Sequence, residues 1–182
     1  MEKRIDDIVK YVLVDEKEIA EICANLGKQI SEDYKGKELV LVGMLKGCTP
    51  FMTDLMKNIN IPLTMDFIQA SSYHGGTQST NYIMFKKDVD TDLSGKHVIV
   101  VDDVLDTAQT ITKVLEILAD RGTASIEMCC FLDKPEGRKV PYEAKYVGKS
   151  IPNEFVIGYG LDYNEYYRNL PYVAVVKDEV YK

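Results

Sequence analysis

Three aspartates and two threonines follow a run of apolar residues at positions 98–110, VIVVDDVLDTAQT. Asp102 and Asp103 are adjacent, and Asp106 follows within the same turn of chain. Acidic residues and threonines after a strand often form only a solvated turn or a helix N-cap. Three carboxylates in one compact loop repel one another, so a cation or several hydrogen-bond donors should compensate their charge. The segment therefore indicates a binding site.

The elements on either side of these carboxylates suggest what the site binds. HVIVVDDV (97–104) predicts a buried strand, and TITKVLEILAD (110–120) has the apolar spacing of a helix. A helix that begins near Thr107 or Ala108 would direct its free N–H groups, with the hydroxyls of Thr107 and Thr110, toward the loop. Such a cradle binds an anion, whereas carboxylates accept hydrogen bonds from ribose hydroxyls or coordinate a divalent metal. Together they favour a phosphorylated sugar as the ligand.

The rest of the chain alternates between predicted helices and predicted strands. Residues 14–34 and 50–59 have helical spacing, with Asp15 and Thr49 as predicted N-caps. Residues 38–45, 62–70, 81–89 and 125–132 have the patterns of strands. This order predicts an α/β fold with a mostly parallel central sheet flanked by helices, whose ligands bind beyond the carboxyl ends of the strands. No repeat or linker divides the sequence, so we expect one domain over residues 1–182.

Composition excludes several classes of protein. The chain has 182 residues and a net charge of -7, which disfavours a nucleic-acid partner. Its four cysteines have no CxxC spacing, and the adjacent pair Cys129 and Cys130 should point to opposite faces of a strand. No segment resembles a signal peptide or is apolar enough to cross a membrane. We therefore expect a cytoplasmic protein with reduced thiols and no membrane partner.

Four segments resemble the type I phosphoribosyltransferase family. VIVVDDVLDTAQT resembles its motif for binding 5-phosphoribosyl-1-diphosphate (PRPP), LKG (45–47) its pyrophosphate loop, and SSY (71–73) its mobile catalytic loop. FVIGYGLDYNEYYRNLPYV (155–173) resembles the C-terminal segment of the hypoxanthine-guanine branch, which the adenine, orotate and uracil branches lack. The resemblance covers nearly the whole chain in the family's order. It also implies a small hood, formed by the chain termini, beside the main sheet.

On the PRPP side, the resemblance assigns each role to a numbered residue. Asp102 and Asp103 would contact the ribose hydroxyls and a bound Mg²⁺. The 5′-phosphate would bind to the loop from Asp106, through Thr107, Ala108 and Gln109, to Thr110. Lys46, Gly47 and Arg168 would contact pyrophosphate, and Ser71, Ser72 and Tyr73 would belong to the mobile loop. The adjacent glycines Gly75 and Gly76 are candidate hinges for a lid that excludes water.

On the base side, the resemblance implies recognition of a 6-oxopurine. Asp106 would accept the proton from N7 of the purine, and Lys134 would donate to its 6-oxo group. Phe155 would stack on the base, the backbone of Val156 would read the base edge, and Asp162 beside the base would be the second magnesium ligand. Two structural alternatives come from the residues alone. Lys134 could be an exposed lysine before a turn, and Phe155 could be an ordinary core aromatic.

Two positions depart from the family pattern. Asp102 stands where the family usually has glutamate, and Ala108 stands where it usually has glycine. A Cβ in a tight phosphate loop requires either a backbone that avoids positive φ or a phosphate that lies slightly further away. We therefore expect weaker PRPP binding without loss of function.

The function that the resemblance implies is purine salvage: a pentosyl transferase that makes IMP or GMP and pyrophosphate from PRPP and hypoxanthine or guanine. We also expect a homo-oligomer, a dimer or a tetramer. The alternative is a non-catalytic regulator of the same fold that binds PRPP or nucleotide and acts on nucleic acid. The acidic net charge of the chain favours the enzyme, because a regulator of that kind needs a basic face.

Overall fold

The computed structural model of the chain describes residues 5–73 and 82–181. In chain order the elements are α1 (Ile5–Ile8), β1 (Val9–Val14), α2 (Glu16–Asp33), β2 (Leu39–Met44), α3 (Thr49–Lys57), β3 (Leu63–Tyr73), β4 (Tyr82–Lys87), β5 (His97–Leu105), α4 (Gln109–Ala119), β6 (Ser125–Asp133), a 3₁₀ turn (Pro135–Gly137), β7 (Tyr146–Ser150), β8 (Val156–Ile157), β9 (Val173–Val176) and α5 (Asp178–Tyr181).

The main sheet has six strands in the order β4-β3-β2-β5-β6-β7. All neighbours are parallel except β3 and β4, which pair antiparallel at one edge. A smaller antiparallel sheet in the order β1-β9-β8 joins the two ends of the chain. The predicted α/β fold class, with its mostly parallel sheet and small hood, is confirmed. The assignment of residues 1–182 to one domain stays a prediction.

Two apolar clusters enclose the main sheet. The cluster on one face contains Ile99 and Val101 of β5 together with buried residues of α2 and α3. The cluster on the other face contains Val98 and Val100 with the buried side of α4. This alternation reflects the twofold period of a strand covered on both faces. Cys129 and Cys130 divide between the same two clusters, as their adjacency predicts, and both thiols are buried and free.

The helix termini agree with the sequence at one position and differ at two. Asp15 caps α2, because its side chain accepts a hydrogen bond from the N–H of Glu18 at 2.8 Å. The prediction of Thr49 as the cap of α3 was wrong: Cys48 holds the N-cap position, and the Thr49 hydroxyl donates to the carbonyl of Lys46. Helix α4 begins at Gln109, slightly later than predicted, after Ala108 in a left-handed conformation.

Candidate active site

Asp102 and Asp103 lie at the carboxyl end of β5, where the parallel pairing with β6 aligns Asp102 with Cys130. Both side chains are partly buried. Burial and the charge of Asp103 raise the pKa of Asp102 well above its ordinary value. Burial likewise raises the pKa of Asp103, against the opposing effect of hydrogen bonds and of the Arg168 charge. The pair therefore carries negative charge that the surrounding protein compensates poorly.

The two carboxylates of this pair suit a divalent cation whose remaining ligands are other oxygen atoms. Poorly compensated carboxylates are stabilised by a cation, and Mg²⁺ commonly takes one or two carboxylates along with water and phosphate oxygens. Within residues 5–73 and 82–181, no three acidic, histidine or cysteine side chains come close enough to hold a metal ion by themselves. Asp162 is not gathered into a single group with Asp102 and Asp103. Its carboxylate instead accepts from Arg168 at 2.8 Å and from the N–H of Glu165 at 2.9 Å.

The loop after β2 lies against the acidic pair. A Cβ on Gly47 would overlap Oδ2 of Asp103, so only glycine permits this approach. Lys46, the preceding residue, is exposed, and its ammonium pairs with Glu165 at 2.6 Å. The structure thus brings the predicted pyrophosphate loop next to the predicted PRPP motif, although the two are far apart in sequence.

Glu165 connects the two cations predicted to bind pyrophosphate. Its carboxylate contacts Lys46 through Oε2 and Arg168 through Oε1, at 2.6 and 3.3 Å. The hydrogen bond from Lys46, followed by its charge, lowers the pKa of Glu165. The Nε of Arg168 is buried and has no hydrogen-bond partner among the described residues, so it can still donate to an anion. Glu165 was not predicted as a site residue, because nothing in its position in the sequence indicates a contact with residue 46.

The loop between β5 and α4 contains a strained residue. Ala108 has φ 63° and ψ 0°, so the first of the two alternatives, a backbone that avoids positive φ, does not hold. Its side chain is only 3% exposed and belongs to the cluster beneath α4, which anchors the residue in this conformation. Gln109 follows it as the first residue of α4, and the N–H of Gln109 lies 3.4 Å from the hydroxyl oxygen of Thr107. Thr107 and Thr110 therefore flank the helix start as predicted.

Lys134 and Asp106 come together where β6 ends. Lys134 is 8% exposed and is the one buried charged residue among those described, which excludes the exposed-lysine alternative. Burial lowers the pKa of its ammonium, while the charges of Asp106 and then Asp103 oppose that shift. A Cβ on Gly137 would overlap Oδ1 of Asp106, so the turn after Lys134 closely approaches the Asp106 carboxylate. A donor-only ammonium thus lies near a proton-accepting carboxylate.

The remaining residues that were predicted to contact the base lie in or against the hood. Phe155 is partly buried, meets Tyr163 edge-on at a centroid distance of 5.7 Å, and stacks on Tyr181 at 4.9 Å. Val156 begins β8, which is an edge strand of the small sheet. An edge strand leaves backbone groups on one side without a strand partner, which is compatible with reading a base edge. Stacking of Phe155 on a purine stays a prediction.

The residues that were predicted to belong to the mobile loop have the backbone of a strand. The backbone of Ser71, Ser72 and Tyr73 continues β3 and pairs with β4, because the antiparallel ladder extends to Tyr82. These residues therefore belong to a strand in this structure. The candidate hinges Gly75 and Gly76 lie outside the described residues.

The comparisons with known proteins agree with this geometry. Residues 12–164 match the model of the phosphoribosyl transferase domain. The chain belongs to the phosphoribosyltransferase family. A hypoxanthine-guanine phosphoribosyltransferase from Streptococcus pneumoniae strain R6 is 50% identical over 177 residues, which is 97% of this chain and 98% of that protein. One from Staphylococcus aureus strain Mu50 is 50% identical over 173 residues, covering 95% and 97%.

Solved structures of the same group have the same fold. A crystal structure of a hypoxanthine phosphoribosyltransferase from Staphylococcus aureus has a TM-score of 0.94 and 48% identity, covering 100% of this chain and 99% of the other. A hypoxanthine-guanine phosphoribosyltransferase from Bacillus anthracis has a TM-score of 0.87 and 40% identity, covering 93% and 98%. No helix within the described ranges is long and apolar enough to cross a membrane.

Proposed function

We propose that the protein transfers the 5-phosphoribosyl group of PRPP to N9 of hypoxanthine or guanine, which yields IMP or GMP and pyrophosphate for purine salvage. The observation that carries the proposal is the buried Lys134 ammonium beside the Asp106 carboxylate, next to the acidic pair at the end of β5. The identity of about half of all residues to proteins named for this activity supports it.

The base would be recognised by groups of opposite hydrogen-bonding character. The Lys134 ammonium can only donate, so it suits the 6-oxo group of hypoxanthine or guanine and opposes the amino group of adenine. Asp106 can accept the proton that leaves N7 as N9 attacks C1 of the ribose. Phe155 would stack on the base, and the backbone of Val156 would bind its edge. These roles together define a site selective for 6-oxopurines.

The sugar phosphate would be held by the strand end and the loops around it. The N–H groups after β5 and the hydroxyls of Thr107 and Thr110 suit the 5′-phosphate. Asp102 and Asp103 suit the ribose hydroxyls, and Lys46, Gly47 and Arg168 suit pyrophosphate. Asp162 would be the second magnesium ligand, and Asp102 and Asp103 would hold Mg²⁺ together with substrate oxygens. When bound, it supplies charge neutralisation to the departing pyrophosphate.

The chemical step needs stabilised charge and excluded water. Departure of pyrophosphate generates an oxocarbenium-like ribose, as in other glycosyl transfers. The carboxylates near the ribose stabilise this positive charge, and a closed segment after β3 would keep water from C1. We further propose that the chain is a single-domain cytoplasmic homo-oligomer, dimer or tetramer. No observation favours a nucleic-acid-binding regulator, and the net charge of -7 opposes it.

The experiment is a rate measurement of IMP formation from PRPP and hypoxanthine with excess Mg²⁺, for the wild type and for Asp106→Asn. We expect kcat to fall by about 10²- to 10⁴-fold in the variant, because an amide cannot accept the N7 proton. The KM for PRPP should stay within a few-fold. Asp120→Asn, at the exposed C-terminal end of α4, is the matched control and should behave as wild type. Equal losses in kcat and PRPP affinity would refute the base assignment.

A further inference from the structure

One guanidinium group connects the two loops that carry Asp106 and Lys134. Arg138 lies in the turn after Lys134 and its side chain is only 15% exposed. It donates to backbone carbonyls on both loops and forms an ion pair with the Asp133 carboxylate. The backbone acceptors and their distances are Leu105 at 2.7 Å, Asp106 at 2.6 Å and Lys134 at 3.2 Å from Nη1, and Tyr142 at 3.1 Å from Nε.

Three consecutive carbonyls of the Asp106 loop accept hydrogen bonds from the turn. The Leu105 carbonyl accepts from Arg138 and from the N–H of Lys134 at 2.9 Å, and the Asp106 carbonyl accepts from Arg138. The Thr107 carbonyl accepts from the N–H groups of Lys139 and Val140 at 3.1 and 3.2 Å. The backbone carbonyls of residues 105–107 are therefore directed to the turn that contains Arg138.

This orientation determines what the opposite side of the loop offers. In a trans peptide the C=O of one residue and the N–H of the next point in opposite directions. Carbonyls of residues 105–107 that face the turn therefore leave the N–H groups of residues 106–108 facing away from it. No hydrogen bond between described residues uses those three N–H groups. They remain available to an anion, and no carbonyl on that side repels it.

The same turn determines where the Asp106 carboxylate lies. Gly137, the residue before Arg138, lies so close to Oδ1 of Asp106 that a Cβ on Gly137 would overlap this oxygen. Lys134 stands at the start of the turn, with its carbonyl on Arg138 and its N–H on Leu105. The carboxylate and the ammonium are thus attached to one rigid unit. The planar fork of arginine suits this role, because its five N–H donors are held in a fixed geometry that reaches acceptors on both loops.

We propose that Arg138 is a positioning residue that sets the separation and orientation of the Asp106 carboxylate relative to Lys134, so that the carboxylate meets N7 of the purine. The inference rests on the proposed function and deepens it. Arg138 contacts no reacting atom. It acts through Asp106, so its contribution to the rate depends on the Asp106 carboxylate being present.

The test is a double-mutant cycle of Arg138→Lys with Asp106→Asn, measured as kcat/KM for hypoxanthine at saturating PRPP. Arg138→Lys should lower kcat/KM by about 10- to 100-fold, because bonds that position Asp106 for the transition state are lost. In the Asp106→Asn background the same change should cost less than about threefold, because there is no base left to position. Arg121→Lys is the matched control: its guanidinium pairs with Asp88 at 2.9 Å, and its rate should be unchanged.

Three results would overturn the inference or the function beneath it, and they are distinguishable. An inactive wild type would contradict the proposed function. An active wild type with a folded and fully active Arg138→Lys would contradict the positioning role alone. Losses that multiply in the double variant would assign Arg138 a merely structural role. Arg138→Gln, which keeps a planar donor without the charge, is measured in parallel with the folded fraction from circular dichroism, so that the conclusion does not depend on one variant folding.

Discussion

Lys134→Ala removes the one ammonium that is proposed to bind the 6-oxo group, and so tests how the base is recognised. The ammonium is buried, with 8% of the residue exposed. Burial lowers its pKa, and the charges of Asp106 and Asp103 oppose that shift. A hydrogen bond from a charged donor contributes about 1.5–3 kcal/mol. At about 1.4 kcal/mol for each tenfold change, its loss should lower kcat/KM for hypoxanthine and guanine by about 10- to 150-fold. PRPP affinity should change little, because the contact is with the base.

The assay measures initial rates of IMP and GMP formation, with PRPP binding titrated separately by calorimetry. Lys139→Ala is the matched control, since Lys139 is an exposed lysine in the same turn and contributes its backbone N–H to Thr107. It should keep wild-type rates. Near-normal rates with hypoxanthine in Lys134→Ala, in a folded variant, would refute the reasoning and assign the 6-oxo contact to another group.

Two further predictions concern the strand end and the loop after it. Asp102→Asn should raise Tm at pH 7 and reduce activity. Because the pKa of Asp102 is raised in the folded state, the stability that this group contributes is present at acid pH and is lost as pH rises through the folded pKa. The neutral asparagine avoids this loss. Tm is measured by calorimetry without Mg²⁺. A lower Tm for the variant at pH 7, or the same rise in Tm at pH 4 as at pH 7, would contradict this prediction. Ala108→Gly should change the free energy of unfolding by less than about 1 kcal/mol, because opposing effects nearly cancel. Glycine relieves about 1–2 kcal/mol of left-handed strain. It also loses about 0.4–1 kcal/mol through the greater entropy of the unfolded chain and about 0.8 kcal/mol through the lost buried methyl group. Its KM for PRPP should stay within about threefold, because the Cβ packs into the core; a larger drop would show that the Cβ holds the phosphate away.

Local patterns in the sequence predicted β2 to β6 of the main sheet and the helices between them, but not β7. The spacing of Ile19, Ile22, Leu26 and Ile30 predicted α2, and all four are buried. The apolar run of β5 and its abrupt change to aspartates predicted both a buried strand and the site at its end. These features are visible because helix and strand periods repeat over short windows. The pairing of Val9–Val14 with Val173–Val176 is not visible in that way, because it joins the two ends of the chain.

The site was predictable where a residue belongs to a motif and not where it acts through long-range contacts. Asp102, Asp103 and Asp106 follow directly from one segment. Glu165 and Arg138 do not, because a glutamate in a polar turn and an arginine after Pro-Glu-Gly usually face solvent. The sequence also left open whether Ala108 adopts a positive φ, as it does in the structure. This φ is imposed by packing beneath α4, and tertiary packing of this kind overrides local preference.

The central claim is that the site transfers phosphoribose to 6-oxopurines and rejects adenine. The most direct measurement compares nucleotide formation from PRPP with hypoxanthine, guanine, xanthine and adenine side by side, with pyrophosphate quantified in each reaction. We expect IMP and GMP in equal amounts to pyrophosphate, and AMP formation lower by up to about 10⁴- to 10⁵-fold, because adenine leaves the Lys134 ammonium facing a second donor. AMP formed at a rate similar to IMP, or no PRPP-dependent nucleotide from hypoxanthine and guanine, would contradict it.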